Sequence, residues 1–363
     1  MDSDYREPNV TKLLEKLEDL SYSESIAFGQ QNAAHIGVTL INRDGTSSDV
    51  YNLCGKQPAI VGIDTLSFYG YEGKFEELVK VVKQLNKQGV VITLSSHMPN
   101  FSLGEDDFYD YSPNITDGQV GGRILPGGDL HSKYVRFLNR IAEFCEECID
   151  VSGNRIPMIF RPFHECNGSW FWWGAEHLND DKFITLYRFT IDYLRFNRGI
   201  RNLLFAYSPN GPIYDKVSYL RRYPGDDYVD ILGLDFYDDK ADSEQDFFEV
   251  LKASLKIVYE IAEDKGKVCA LTETGLRMMD TAPDGKYYEG LAPSGNRNKK
   301  WFTNLLDTMM EMESSRRCCY ILTWGNFSEN QFWVPYATSD FRHEMCDDFV
   351  EFVNDKRVVM APM

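Results

Sequence analysis

Two glutamates stand out by where they sit. Ile156 to Gly174 reads IPMIFRPFHECNGSWFWWG, and Val268 to Gly275 reads VCALTETG. Each segment is a short apolar run that ends abruptly in a glutamate, Glu165 in the first and Glu273 in the second. An apolar run of this length bounded by turn residues reads as a buried strand. Two carboxyl groups across a cleft can divide the labour of bond cleavage. One stays protonated and donates, while the other is ionised and attacks or activates water. Trp170, Trp172 and Trp173 follow the first glutamate. Indole faces beside a carboxylate pair suit a sugar ring, whose C–H face is apolar, and glycosidic bonds are cleaved by such pairs. His164 directly precedes Glu165 and could help set the protonation of the acid. Arg161, three residues before that, is expected to point toward the glutamates and keep a carboxylate ionised.

The elements that must hold these residues alternate along the chain. Eight strand-like runs appear: Ser25–Phe28, Ala59–Leu66, Val90–Ser95, Pro157–Pro162, Leu203–Tyr207, Asp230–Phe236, Val268–Thr272 and Cys319–Trp324. Helical patterns lie between them, including Lys74–Lys87, Lys133–Ile149, Asp181–Phe196, Phe247–Lys265, Asn298–Met312 and His343–Asn354. Eight such units predict an α/β fold of the (β/α)₈ barrel type, a TIM barrel in a single domain. Glu165 and Glu273 then stand at the C-terminal tips of the fourth and seventh strands, where such barrels carry their chemistry. The competing doubly wound sheet would want a glycine-rich phosphate loop, and neither GxGxxG nor GxxxxGK[ST] occurs. We expect residues 24–363 to form the barrel and residues 1–23 an N-terminal extension, with Val10–Leu20 as an amphipathic helix across the barrel bottom. Two long segments, Met98–Asp129 and Met278–Asn298, follow strands and are expected to wall a cleft. Asp129 reads as the cap of a helix beginning at Leu130.

The composition narrows the partner. The net charge is −18 and the pI about 4.8, which argues against nucleic acid, acidic polysaccharide and anionic membrane. A neutral substrate is expected, with no nucleic acid and no membrane as partner. No run reaches the length of a membrane span. The opening MDSDYREPNV lacks the basic and apolar regions of a secretory leader. The expected location is cytoplasmic, or secreted with the leader lying outside this sequence. Cys145 and Cys148 form a CxxC on a helical pattern, read as helix surface, since a zinc site needs four ligands. No metal and no cofactor are expected. The remaining tryptophans, Trp301 and Trp333, read as core or rim packing along with Trp172 and Trp173.

The motifs together resemble glycoside hydrolase family 26, whose characterised core is β-1,4-mannanases. They are TLSSHMPN, GGDLHSKY, RPFHE-x-NGSWFWWG, AYSPNG, YPGDDYVDILGLDFY, LTETG and LTWGNF. The resemblance runs from about Phe28 to beyond Trp324. It implies a retaining double displacement, with Glu165 as acid/base and Glu273 as nucleophile. It also implies substrate contacts for His97, His164, Trp170, Asp235, Tyr237 and Trp324. Some family members carry an arginine soon after that last tryptophan. This chain reads Trp324-Gly325-Asn326-Phe327, and Asn326 is expected to take a sugar hydroxyl instead.

The expected substrate is therefore a neutral β-mannan or manno-oligosaccharide. Mixed-linked β-1,3-1,4-glucan or β-1,3-xylan would use the same machinery. A barrel that binds glycan without cleaving it would have to lack one glutamate, and both are present.

Overall fold

The computed structural model describes residues 6–70, 72–103, 111, 120–239, 246–279 and 282–363. Its centre is a ring of parallel strands: β1 (Ile26–Gln31), β2 (Ile60–Asp64), β3 (Val91–Ser96), β4 (Met158–Pro162), β5 (Leu203–Tyr207), β6 (Ile231–Asp235), β7 (Val268–Thr274) and β8 (Cys318–Thr323). Each pairs with the next, and β8 pairs with β1 through Gly29 opposite Leu322. The ring is closed, so the fold is a (β/α)₈ barrel as the sequence predicts. A two-residue strand, β9 (Val358–Val359), adds to β1 at Ile26 and Ala27.

Every residue of β1 to β8 is buried, which explains why the runs read as continuous apolar stretches rather than alternating ones. The pleat sorts them into two cores. Ile159, Leu204, Ala206, Ala270 and Tyr320 share the inner cluster. Met158, Phe160, Phe205, Leu232 and Leu271 face the helices in the outer one. Arg161 follows Phe160 and so points inward, toward the neighbouring strand tips. The amphipathic N-terminal helix, Pro8–Ser21, sets Val10, Leu13 and Leu17 into the inner cluster against Ile60, Val91, Ile231 and Val268. Those four lie at the N-terminal ends of their strands, so the helix plugs the barrel bottom.

Two smaller expectations are corrected. Asp129 caps no helix; the helix spans His131–Glu147, and Asp129 instead accepts from the Arg123 guanidinium at 2.6 and 2.9 Å. Cys145 and Cys148 are fully buried rather than on a helix surface, because their helix turns that stripe to the barrel wall. Of the two loops expected to wall the cleft, residues 104–110, 112–119 and 280–281 lie outside the described residues.

Candidate active site

The exit of β4 does not continue as a strand. Phe163 and Glu165 both take left-handed backbone, with φ 54° and 53°. Such residues cost of order 1–3 kcal/mol each and persist only where their surroundings hold them. Here Glu165 N–H donates to the Ser208 carbonyl at 2.7 Å, and Trp173 Nε1 donates to the His164 carbonyl at 2.8 Å. The turn brings two consecutive side chains, His164 and Glu165, onto one cleft wall, which an extended strand could not do. The loop beyond is stapled from below by Arg222. That buried arginine donates to the carbonyls of Cys166, Trp173 and Leu178 and pairs with Asp180 at 3.1 Å. Trp170 is thereby carried back over Glu165, and its Nε1 donates to Glu165 Oε2 at 2.6 Å.

Glu273 is held by different partners. Arg161 donates to its Oε1 and to Asp235 Oδ2, the latter at 2.7 Å. Tyr237 donates its hydroxyl to Glu273 Oε2 at 2.9 Å. Burial opposes the charge on Arg161, but Asp235 and Glu273 outweigh it and hold the guanidinium protonated. Asp235 is completely buried beneath the floor. It accepts from Arg161, from Ser208 at 3.2 Å and from Thr272 at 2.6 Å. It therefore orients Arg161 from below, and the expectation that it touches substrate is corrected on that ground.

One oxygen each from Glu165, Asp235 and Glu273 lies within 4.8 Å of the others. Three carboxylates so close could hold a cation, but the Arg161 guanidinium already bonds two of them. The pair facing the cleft is electrostatically unequal. Burial, then the neighbouring Glu273 carboxylate, pushes the Glu165 carboxyl up to about 7, against Arg277, the Trp170 hydrogen bond and Arg161. Near neutrality a large share of Glu165 is protonated.

Two histidines close the wall. His97 Nδ1 meets Asp64 Oδ2 at 2.7 Å, and its Nε2 lies 3.3 Å from His164 Nε2. Burial lowers the His97 pKa, but Asp64 more than offsets this and the net shift is upward. His164 goes the other way. Burial, Arg161 and His97 together hold it well below the usual imidazole value, so it is neutral.

These residues line a cavity of about 580 Å³, a volume suited to a small chain of sugar units. His97, His164, Glu165, Trp170, Tyr237, Glu273 and Trp324 all face it. Trp324 stands edge-on to His97, with ring centroids 5.6 Å apart. Asn326 does not reach the cavity. It is 1% exposed and its amide is fully used: Nδ2 donates to Asp49 and to the Val334 carbonyl, while Oδ1 accepts from Gln30, Trp333 N–H and Val334 N–H. The chain turns inward after Trp324, so the residue expected to bind sugar instead clamps a loop. Gln30 donates to the Asn326 amide, and Asp64 accepts from Ser95 and holds His97. Arg277, by contrast, was not singled out by the sequence. It lines the cavity with its guanidinium 3.7 Å from the centre of the Tyr237 ring. Its place four residues after Glu273 is the only signal that could have found it.

Comparison with known proteins decides what this barrel is. The model of the family described as glycosyl hydrolase family 26 matches residues 6–280.
The chain belongs to glycosyl hydrolase family 26.
Solved structures of the family superpose closely. The catalytic domain of the GH26 endo-β-1,4-mannanase of Bacillus sp. JAMB-750 gives a TM-score of 0.88 at 38% identity, covering 98% of this chain and 92% of that one. The modular endo-β-1,4-mannanase of Cellulomonas fimi gives 0.87 at 35% identity, covering 98% and 76%. A mannan endo-1,4-β-mannosidase of Bifidobacterium adolescentis is 34% identical over 366 residues, covering 96% of this chain and 34% of that protein. The chain thus spans about a third of the length of that family 26 relative. No helix among the described residues is long and apolar enough to cross a membrane.

Proposed function

We propose that this chain is a retaining endo-β-1,4-mannanase acting on neutral β-mannan or manno-oligosaccharides. The observation that carries the reading is the unequal carboxyl pair. Glu165 and Glu273 present oxygens within 4.8 Å of each other. Glu273 is bonded by a cation and a phenol, while the Glu165 carboxyl is pushed up to about 7. Carboxyl oxygens this close suit a covalent intermediate, since an inverting pair must leave room for water. The mannanase activity named for the family 26 relatives supports the choice of sugar.

In the first step a Glu273 oxygen attacks the anomeric carbon. The bond from that carbon to the leaving oxygen breaks, and the Glu165 proton passes to that oxygen. The carboxylate left on Glu165 then takes a proton from water. The water oxygen joins the anomeric carbon, the mannosyl ester breaks, and Glu273 departs as a carboxylate. Trp170, sharing a hydrogen bond with Glu165 Oε2, fixes which lone pair meets the leaving group. Trp324 supplies a stacking face, and the rings of His97 and His164 wall the cleft beside it. No step calls for a metal or an organic cofactor.

A reducing-sugar assay on mannan, mixed-linked β-glucan and β-1,3-xylan tests the substrate, and mannan is expected to be degraded fastest. Proton NMR of the earliest product tests the stereochemistry. A β-anomer is expected, and an initial α-anomer would remove the retaining mechanism.

A further inference from the structure

Asn167, two residues past Glu165, takes no part in the contacts described above. The ladder between β4 and β5 runs from Met158 opposite Leu203 to Phe160 opposite Phe205 and then stops. Beyond it, the Glu165 turn is joined to the segment after β5 by a side chain. Asn167 Nδ2 donates to the Asn210 carbonyl at 2.8 Å, and Asn167 Oδ1 accepts the Asn210 N–H at 2.7 Å. One amide thus takes both backbone groups of Asn210, as a paired strand residue would. Asn210 is anchored in turn. It forms a parallel bridge with Asp235, and the Gly211 N–H donates to the Asp235 carbonyl at 2.7 Å. Asn210, Gly211, Pro212 and Tyr214 then line the cleft, while Asn167 itself does not.

Asn167 is exposed. Water competes for both of its bonds, so their contribution to folding is modest. What two bonds to one residue do fix is direction, and Gly168 shows what depends on it. A Cβ there would come within 2.4 Å of Trp170 Cη2, so the indole lies directly against the Gly168 backbone. The same indole donates to Glu165 Oε2 at 2.6 Å. The clasped backbone therefore supports the ring that aims the Glu165 carboxyl. We propose that Asn167 is a positioning residue for proton transfer: its amide fixes the Glu165 turn and the Trp170 ring against the cleft wall that starts at Asn210, so that the acid proton meets the leaving oxygen. This rests on the retaining mannanase reading. A loosened turn then harms only a step in which a proton must be delivered.

The test compares kcat/KM for mannohexaose and for 2,4-dinitrophenyl β-mannobioside on wild type and Asn167→Ala. The departing sugar of mannohexaose needs a proton, and dinitrophenolate does not. Losing two hydrogen bonds that orient the acid should lower kcat/KM on mannohexaose about 5- to 50-fold and leave the aryl substrate where it was. Aryl mannobiosides with progressively poorer leaving groups should fall in between, whereas a merely structural defect would lower the whole series alike. Asn167→Asp keeps the size and one acceptor, but its second oxygen faces the Asn210 carbonyl with no proton to donate. Its charge would favour the protonated acid, so a loss as deep as that of Asn167→Ala would come from the broken clasp. A wild-type rate on mannohexaose in Asn167→Ala, or full recovery in Asn167→Asp, would overturn the inference. Equal losses on mannohexaose and the aryl substrate would overturn it too, since the clasp would then shape the wall rather than aim the acid. A wild-type protein that cleaves neither substrate would overturn the mannanase reading itself, which separates the two failures.

Discussion

Glu165 and Glu273 have the same side chain and face the same cleft, yet the strand ends that carry them are built on different plans. Glu273 lies within β7, where the register against β6 and β8 shifts, with a guanidinium on one oxygen and a phenol on the other. Glu165 stands past the end of β4 on left-handed backbone, with one indole N–H and, among the described residues, no cation bonded to it. A charged partner inside a low-dielectric site favours ionisation, and burial without one favours the proton. On the proposed mechanism the two strand ends thus sort two chemically identical groups into nucleophile and acid. The contrast also shows where rigidity is placed. Glu273 is fixed by the barrel, and Glu165 by a loop that Arg222 staples from beneath.

The largest effect should come from erasing the two roles one at a time. Glu273→Ala removes the atom that forms the covalent bond. Activity on both mannan and aryl mannosides should fall by more than about 10⁴-fold, beyond what acid–base help contributes. Glu165→Ala should cost about 10²–10⁴-fold on mannan while sparing the first step on dinitrophenyl substrates, whose leaving group needs no proton. Azide should then restore turnover by attacking without a base. Equal losses for both variants on both substrates would break the comparison.

The next effect concerns what sets the roles. Arg161→Leu leaves Asp235 and Glu273 buried without their cation. Removing one partner of a buried ion pair costs about 3–5 kcal/mol, and urea unfolding should show that loss. Glu273→Gln probes the coupling from the other side. Removing the nucleophile's charge should lower the pKa of Glu165 from its value of about 7. Carbon-13 NMR of a labelled Glu165 carboxyl would follow it without needing activity, and an unmoved titration would mean that the pair is not coupled. The same raised pKa has a stability consequence. A carboxyl whose folded pKa lies above its ordinary value favours folding below that ordinary value and loses this as pH rises through about 7. Glu165→Gln should therefore gain stability over wild type as pH rises from about 5 to 8.

How much of this was legible beforehand depends on what each residue is bonded to. The barrel was readable because strands buried on both faces are written as unbroken apolar runs, and their ends fell within a few residues of the observed ones. The glutamate pair was readable because each run stops at a carboxyl. Arg161 was readable from strand alternation. What did not show was the path of the chain once it left a strand. Asn326 follows Trp324 by two residues in both sequence and expectation, but the loop turns inward and its amide is consumed by Asp49, Gln30 and Val334. Asp235 alternates correctly yet ends one layer too low, under Arg161. Arg222 and Arg277 lie on loops, where no periodicity marks a direction, so nothing in their spacing separates a buried staple from a surface charge.

The smallest expected effect is the sharpest test of the asymmetry, because it shifts a pKa without touching either glutamate. Arg277 stacks on Tyr237 and lines the cleft, and its charge pulls the Glu165 carboxyl downward against burial and Glu273. Arg277→Met keeps bulk over the Tyr237 ring and removes the charge. The carboxylate form of Glu165 then loses a favourable neighbour, so its pKa rises and the acid holds its proton to higher pH. In a profile of kcat/KM the alkaline limb reports loss of that proton. The limb should start near pH 7 in the wild type and move upward in the variant, by roughly half a unit for a partly solvated charge. Arg277→Lys restores a charge but not a planar group that can lie on the ring, so it should return the limb partway. A limb that moves downward, or two limbs that move together, would show that Arg277 acts through Tyr237 on Glu273 rather than through space on the acid.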